Sequence, residues 1–407
     1  QVAVAVVEEL KLQISATQRS GLQEPETKNA EAFLAYQKGR ELLSSRKFAE
    51  AAVELRRAYQ LDPDYTRAWT TLAQTEWNPL INGGNTNRLQ DVWKRLSLEA
   101  DRFRSLRPDD PSLTALRFWI AFVYERDWAK ARQIFWGFQG SHKPDPYLLQ
   151  GIFFYYCFVE GHLDIAFMIN EQARALADDD VIFQIDGAHM LAFFGRTRDA
   201  VQAIQAIPPE RIQLEDFSHV YLDAGDLEAA KENVTRVLPQ RPTAWAQCNL
   251  AIIHSRLGET NQARQVLQDL ERQAASGMHI PYGFIAGSYG ALGDFDTAQR
   301  WLRKGLSEGH GDWSMGRLRS AYNLKLFGKF PWYWEIIDEM KFPPLQMDHP
   351  YFALEQEMRY KRGAGGELIS TTSTNEPPKT LAVLPFEKIG AGSVDDDFNE
   401  GLTIDLI

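Results

Sequence analysis

Apolar and small residues recur along this chain with helical spacing, in paired segments. Ala32–Asp64 reads AFLAYQKGRELLSSRKFAEAAVELRRAYQLDPD. A small residue, Gly39, sits midway through a first predicted helix. Phe48, Ala51, Leu55 and Ala58 mark one face of a second, and Pro63 ends it. The same order returns in GHLDIA, GRTRDA, GDLEAA, GETNQA and GDFDTA. Each opens on a glycine (Gly161, Gly195, Gly225, Gly258, Gly293) that is followed five residues later by an alanine (Ala166, Ala200, Ala230, Ala263, Ala298). Glycine supplies the left-handed turn that ends a first helix, and alanine lets the second helix approach closely.

The alanines are spaced by 34, 30, 33 and 35 residues. The spacing and the order of small and bulky anchors resemble the tetratricopeptide repeat, whose period is about 34 residues. DWAKARQIF places Ala131 in the same role without the glycine. Between Ala51 and Ala131 lie 80 residues, two periods with a surplus of about a dozen. An inserted loop at Asn78–Arg88 accounts for that surplus. Pro208 and Pro209 shorten another repeat. The expectation is an all-α solenoid of about eight helix pairs from Asn29 to Gly309. A Trp-rich segment, Asp312–Pro343, reads as a terminal cap over the last apolar face.

The ends differ from this repeat. Residues 1–28 contain an amphipathic helix, Val2–Ile14, and a linker; residues 344–379 form a second, polar linker; and residues 380–407 hold a short apolar strand, Leu381–Phe386, an acidic loop and the start of a helix. Leu381–Phe386 and Phe398–Ile407 resemble the opening of TolB-like modules, with their "IAVLPF" strand and "GLT-x-x-LI" helix, and Val2–Ile14 resembles the last helix of such a module. The resemblance implies a small partial α/β segment at each terminus of a bacterial chain. It also implies attachment to class III nucleotide cyclases or winged-helix regulators, and favours the periplasm with the cytoplasm open. Gln1 begins in mid-helix and Ile407 stops inside one, so the chain reads as part of a longer protein. The two terminal pieces suit packing against each other, within one chain or through self-association.

A net charge of −11 over 407 residues argues against nucleic acid or an anionic membrane surface as partner. No apolar run approaches a membrane span. Cys157 and Cys248 are too few for a disulfide framework. Cys157 falls at a helix-packing position and Cys248 on the expected concave face. The eight histidines form no HxxxH or HExxH pair, and no phosphate loop, GxSxG or dinucleotide fingerprint occurs. No catalytic residue, cofactor or metal is therefore expected. Asp395–Asp397 reads as a solvated acidic turn, and the sequon at Asn233 falls in mid-helix.

In this repeat class the first helix of each pair lines the concave face. Its positions in register include Tyr36 and Arg40, then Gln74, then Leu116 and Ile120, then Tyr155. They continue with Ile185 and His189, Glu215 and His219, and Trp245 and Cys248. This face is apolar and aromatic with few cations, unlike a clamp for C-terminal carboxylates. Two readings stand: a groove for an apolar polypeptide segment, or positions buried by tight superhelical curvature. His189 and His219 are equivalent in adjacent repeats and should share one wall. The function expected is that of a protein–protein interaction scaffold or sensor module, or of the regulatory portion of a larger signalling enzyme.

Overall fold

The structure is a computed structural model and describes residues 27–356, apart from 45–46, 82–85, 107–109, 139–145, 178–180, 210–211, 213–216, 241, 309–310, 346–351 and 354. The two TolB-like pieces, strand Leu381–Phe386 and helix Val2–Ile14, lie outside the described residues.

Eight antiparallel helix pairs follow one another along the described residues. They are α1 (Ala30–Ser44) with α2 (Phe48–Leu61), α3 (Thr66–Ile81) with α4 (Thr86–Leu106), α5 (Pro111–Trp119) with α6 (Trp128–Phe138), and α7 (Pro146–Tyr155) with α8 (Leu163–Leu176). Then come α9 (Ile182–Phe193) with α10 (Thr197–Gln205), α11 (Ser218–Ala224) with α12 (Leu227–Val237), α13 (Ala244–Arg256) with α14 (Thr260–Ala275), and α15 (Tyr282–Ala291) with α16 (Phe295–Glu308). A 3₁₀ turn (Trp313–Arg317), α17 (Ala321–Phe327) and α18 (Pro331–Glu339) follow. No strand occurs among the described residues. The described residues form an all-α solenoid of tetratricopeptide type.

The anchors act as their residue types require. Gly161, Gly195, Gly225, Gly258 and Gly293 all have positive φ, between 77° and 84°. Ala51, Ala131, Ala166, Ala200, Ala230, Ala263 and Ala298 are fully buried. In the third pair, which has no glycine at this turn, Arg126 takes the left-handed position, with φ 53°. Its guanidinium donates to the carbonyls of Gly305 (2.9 Å) and Leu306 (3.5 Å), contacts that hold the strained residue in place.

Two features depart from the sequence reading. The surplus near residue 80 is not a loop over Asn78–Arg88, because α3 runs to Ile81 and α4 starts at Thr86. The extra residues lengthen α4 to 21 residues, with Leu89, Trp93, Leu96, Ala100 and Phe103 buried along one face. That stripe at spacings of three and four is what makes the insertion helical. Secondly, α5 and α7 both widen into π turns, Ile120–Glu125 and Tyr156–Glu160. These leave main-chain carbonyls at the helix ends that need donors from elsewhere.

Those donors come from the segment after α16. Gly311 N–H reaches the carbonyl of Val123 (3.3 Å), and Arg319 Nη1 reaches that of Val159 (3.1 Å). In the opposite direction, Gln90 donates to the carbonyl of Glu308 (3.2 Å) at the end of α16, and Trp128 Nε1 to that of Met340 (2.8 Å). The Trp-rich segment therefore covers the last pair and also runs inward against the third and fourth. One buried apolar cluster extends from Trp69 to Phe342 as a result, and the fifth and sixth pairs share another.

Candidate functional site

The segment from Gly311 to Ser320 is fixed residue by residue against the π turn after α5 and the start of α15. Gly311 has φ 86°, and a Cβ there would lie 2.5 Å from Trp93. Buried Asp312 accepts from the backbone N–H of Ser314 (2.8 Å) and of Tyr282 (2.7 Å), so one carboxylate caps both the 3₁₀ turn and the start of α15. Ser314 Oγ accepts from Gly283 N–H at 2.9 Å. A side chain at residue 283 would strike the Ser314 carbonyl at 2.7 Å, so glycine is what permits this approach.

This arrangement places Arg317 among aromatic rings. Its guanidinium carbon lies 4.9 Å from the centroid of Phe158, 5.2 Å from Trp313, 5.4 Å from Phe284 and 5.8 Å from Trp245. Such faces attract a cation but supply no hydrogen-bond acceptor in the ring plane. No described residue accepts a hydrogen bond from Arg317 or forms an ion pair with it, and its Nε is buried without a partner. Burial lowers its pKa to about 10, opposed by Asp223, Cys157 and Asp186. It stays charged near neutrality.

Beside it, His189 Nε2 and His219 Nδ1 are 3.0 Å apart, with ring centroids at 3.4 Å, and Trp245 packs on both rings. The expected common wall of these two histidines is thus a direct hydrogen bond. Burial holds both imidazoles well below their ordinary pKa, and Arg317 adds to this. Nε2 of His219 is buried without a partner. Asp223, at the end of α11, is raised to about 6 by burial, which outweighs the pull of Arg317, Arg256 and Lys325. Between these groups lies a cavity of about 60 Å³, lined by His219, Asp223, Trp245, Phe284, Arg317 and Tyr322 among others.

The other groove positions divide by exposure. Tyr36, Leu116, Ile120, Tyr155, Ile185 and Cys248 are buried among neighbouring helices and do not lie on an open face. Tyr36 packs against Tyr65 with ring centroids 5.1 Å apart, and Tyr155 donates to Glu160 at 2.8 Å. Cys248, expected on the concave surface, is enclosed in the main core, and burial pushes its thiol up to about 12. Cys157 is buried as expected, and its thiol too is raised. Asn233 is buried in α12 and accepts from Phe217 N–H at 3.1 Å. Arg40 is exposed, and Gln74, His189 and Trp245 are partly so. Glu215 lies outside the described residues.

No family model matches the chain, and no curated protein does. Among solved structures it is similar to the hetero-tetramer Cut9-Hcn1 of APC/C, at 12% identity over 78% of this chain and 77% of that one, with a TM-score of 0.38. It is also similar to the TPR domain of P58(IPK), at 12% identity over 83% and 99%, with a TM-score of 0.23.

Among the described residues no group of three or more His, Cys, Asp or Glu is placed to hold a metal ion. No described helix is long and apolar enough to cross a membrane. Reasoning from the sequence missed Arg317, Asp223 and Asp312. The available signal was a cation inside the otherwise apolar run WSMGRL.

Proposed function

We propose that this chain is a protein–protein interaction scaffold without catalysis of its own. Its partner would be a polypeptide lying along the first helices of the first two pairs. The supporting observation is the change in exposure along that face. Arg40 is exposed there, and Phe33, Arg67 and Gln74 are partly so, whereas Leu113, Leu116, Ile120, Leu148 and Tyr155 are buried. A ladder of parallel first helices offers an extended chain regularly spaced side chains to contact, which is how solenoids present binding surfaces.

The terminal TolB-like resemblance favours one form of this reading, in which the array is the regulatory portion of a larger signalling protein such as a nucleotide cyclase or a transcriptional regulator.

Selection of binding peptides from a random display library tests the proposal. Enriched peptides should lose about tenfold or more in affinity for Arg40→Glu/Gln74→Ala, a double change on an accessible surface. Failure to enrich any peptide, or enrichment of peptides indifferent to that change, would overturn it.

A further inference from the structure

The cavity beside Arg317 holds two opposite charges that do not meet. Arg317 forms no ion pair with Asp223, and no described residue donates a hydrogen bond to Asp223. Yet the two act on each other through space and line the same 60 Å³. The buried Nε of Arg317 is left without an acceptor, which is costly, and burial disfavours the ionised form of the partly exposed Asp223 carboxyl. Two residues that merely stabilised the fold would gain by closing into a direct pair. The aromatic frame of Phe158, Trp245, Phe284 and Trp313 instead fixes Arg317 where it is.

We propose that this cavity binds a small zwitterion, with Arg317 holding its carboxylate and Asp223 its ammonium group. The charge pattern selects that class. A bare anion would face Asp223, a bare cation would face Arg317, and a neutral molecule would leave both unmatched. Volume sets the size, because about 60 Å³ is room for roughly four water molecules, or for a ligand of about that many heavy atoms. Glycine, with five heavy atoms, is the amino acid nearest to this size, and alanine has one more. His219 contributes whichever tautomer it adopts. Its Nδ1 is engaged with His189, so Nε2 is left as either a donor or an acceptor. Phe284 and Trp245 supply apolar wall for a methylene or methyl group. This site does not depend on a polypeptide partner.

Isothermal titration of the full chain with glycine and with L-alanine near pH 7.5 tests the proposal, with acetate and ethylamine as the two half-ligands. At least one of the amino acids should give saturable binding. Each half-ligand should bind about tenfold or more weakly, and Asp223→Asn and Arg317→Gln should each weaken binding by about tenfold or more. If Arg317→Gln fails to fold, Asp223→Asn, at a partly exposed position, decides alone. No saturable binding of either amino acid, acetate binding as tightly as glycine, or unchanged binding by Asp223→Asn would overturn it. The first result would leave a water-bridged Arg317–Asp223 pair as the explanation, and the other two would leave an anion site made by Arg317 alone.

Discussion

At the scale of single residues, the groups around the cavity carry opposite pH dependences. His189 and His219 have depressed pKa values, so the folded chain resists their protonation. The stability they allow is complete above the unfolded imidazole value of about 6.5 and is lost as pH falls below it. Asp223 works the other way. Its carboxyl is raised to about 6, so folding disfavours its ionised form. That cost is absent below about pH 4, grows through the interval up to about 6 and is constant above. The charged groups acting on it are Arg317, Arg256 and Lys325, and together they do not offset burial. Asp223→Asn should therefore stabilise the chain at pH 8 by roughly 1–2 kcal/mol, a figure discounted for its partial exposure. The gain should shrink as pH is lowered through 6 towards 4. Urea melts of both proteins across this range check the sign, and a loss of stability at pH 8 would mean that attraction to Arg317 outweighs burial.

At the scale of elements, each of the fourth to eighth helix pairs rests on a glycine turn and an alanine crossing, and the two have separable costs. Gly225 has φ 84°, and an added methyl there would meet nothing within 4 Å, so Gly225→Ala should cost about 1–2 kcal/mol from backbone strain alone. Ala263 is fully buried at the α13–α14 crossing, and Ala263→Trp should cost about 1–3 kcal/mol or more by overpacking. Chemical denaturation of the two variants checks both values. These features were legible in the sequence because a turn and a crossing are each specified within about six residues. The helical nature of the insertion was equally local, in the stripe from Leu89 to Phe103, but the Asn- and Gly-rich residues before it drew the boundary too far. The inward course of Gly311–Ser320 was not local at all. It depends on Val123, Val159 and Trp93, which lie well over a hundred residues away. Cys248 read as a concave-face position, and for the other groove positions the sequence left open whether they line a groove or are buried between repeats; most are buried. His189 and His219 were legible as neighbours because equivalent positions in adjacent repeats lie side by side.

At the scale of the whole array, these distant contacts change how the solenoid should come apart. Repeat arrays with only nearest-neighbour contacts unfold in parts, each pair supported by the next. Here Arg126 bonds to the end of α16, and Trp128 stacks on Phe342 at 5.2 Å. Arg319, nearly inaccessible, joins Val159, Pro343 and Glu355, with its Nη2 2.9 Å from the fully buried Glu355 carboxylate. The third and fourth pairs should therefore open together with the cap. Arg319→Met strands a buried carboxylate and frees the Val159 carbonyl, at a cost of about 3–5 kcal/mol. Adding Glu355→Leu removes the stranded charge and should recover much of that loss, since a buried pair replaced by apolar groups is often close to neutral. Hydrogen exchange followed by mass spectrometry reads the coupling directly. In Arg319→Met, amides in 117–125 and 153–160 should lose protection together with those in 313–327, and the double variant should restore both. Loss confined to 313–345 would show that the cap is held locally and that the array behind it is the ordinary nearest-neighbour kind.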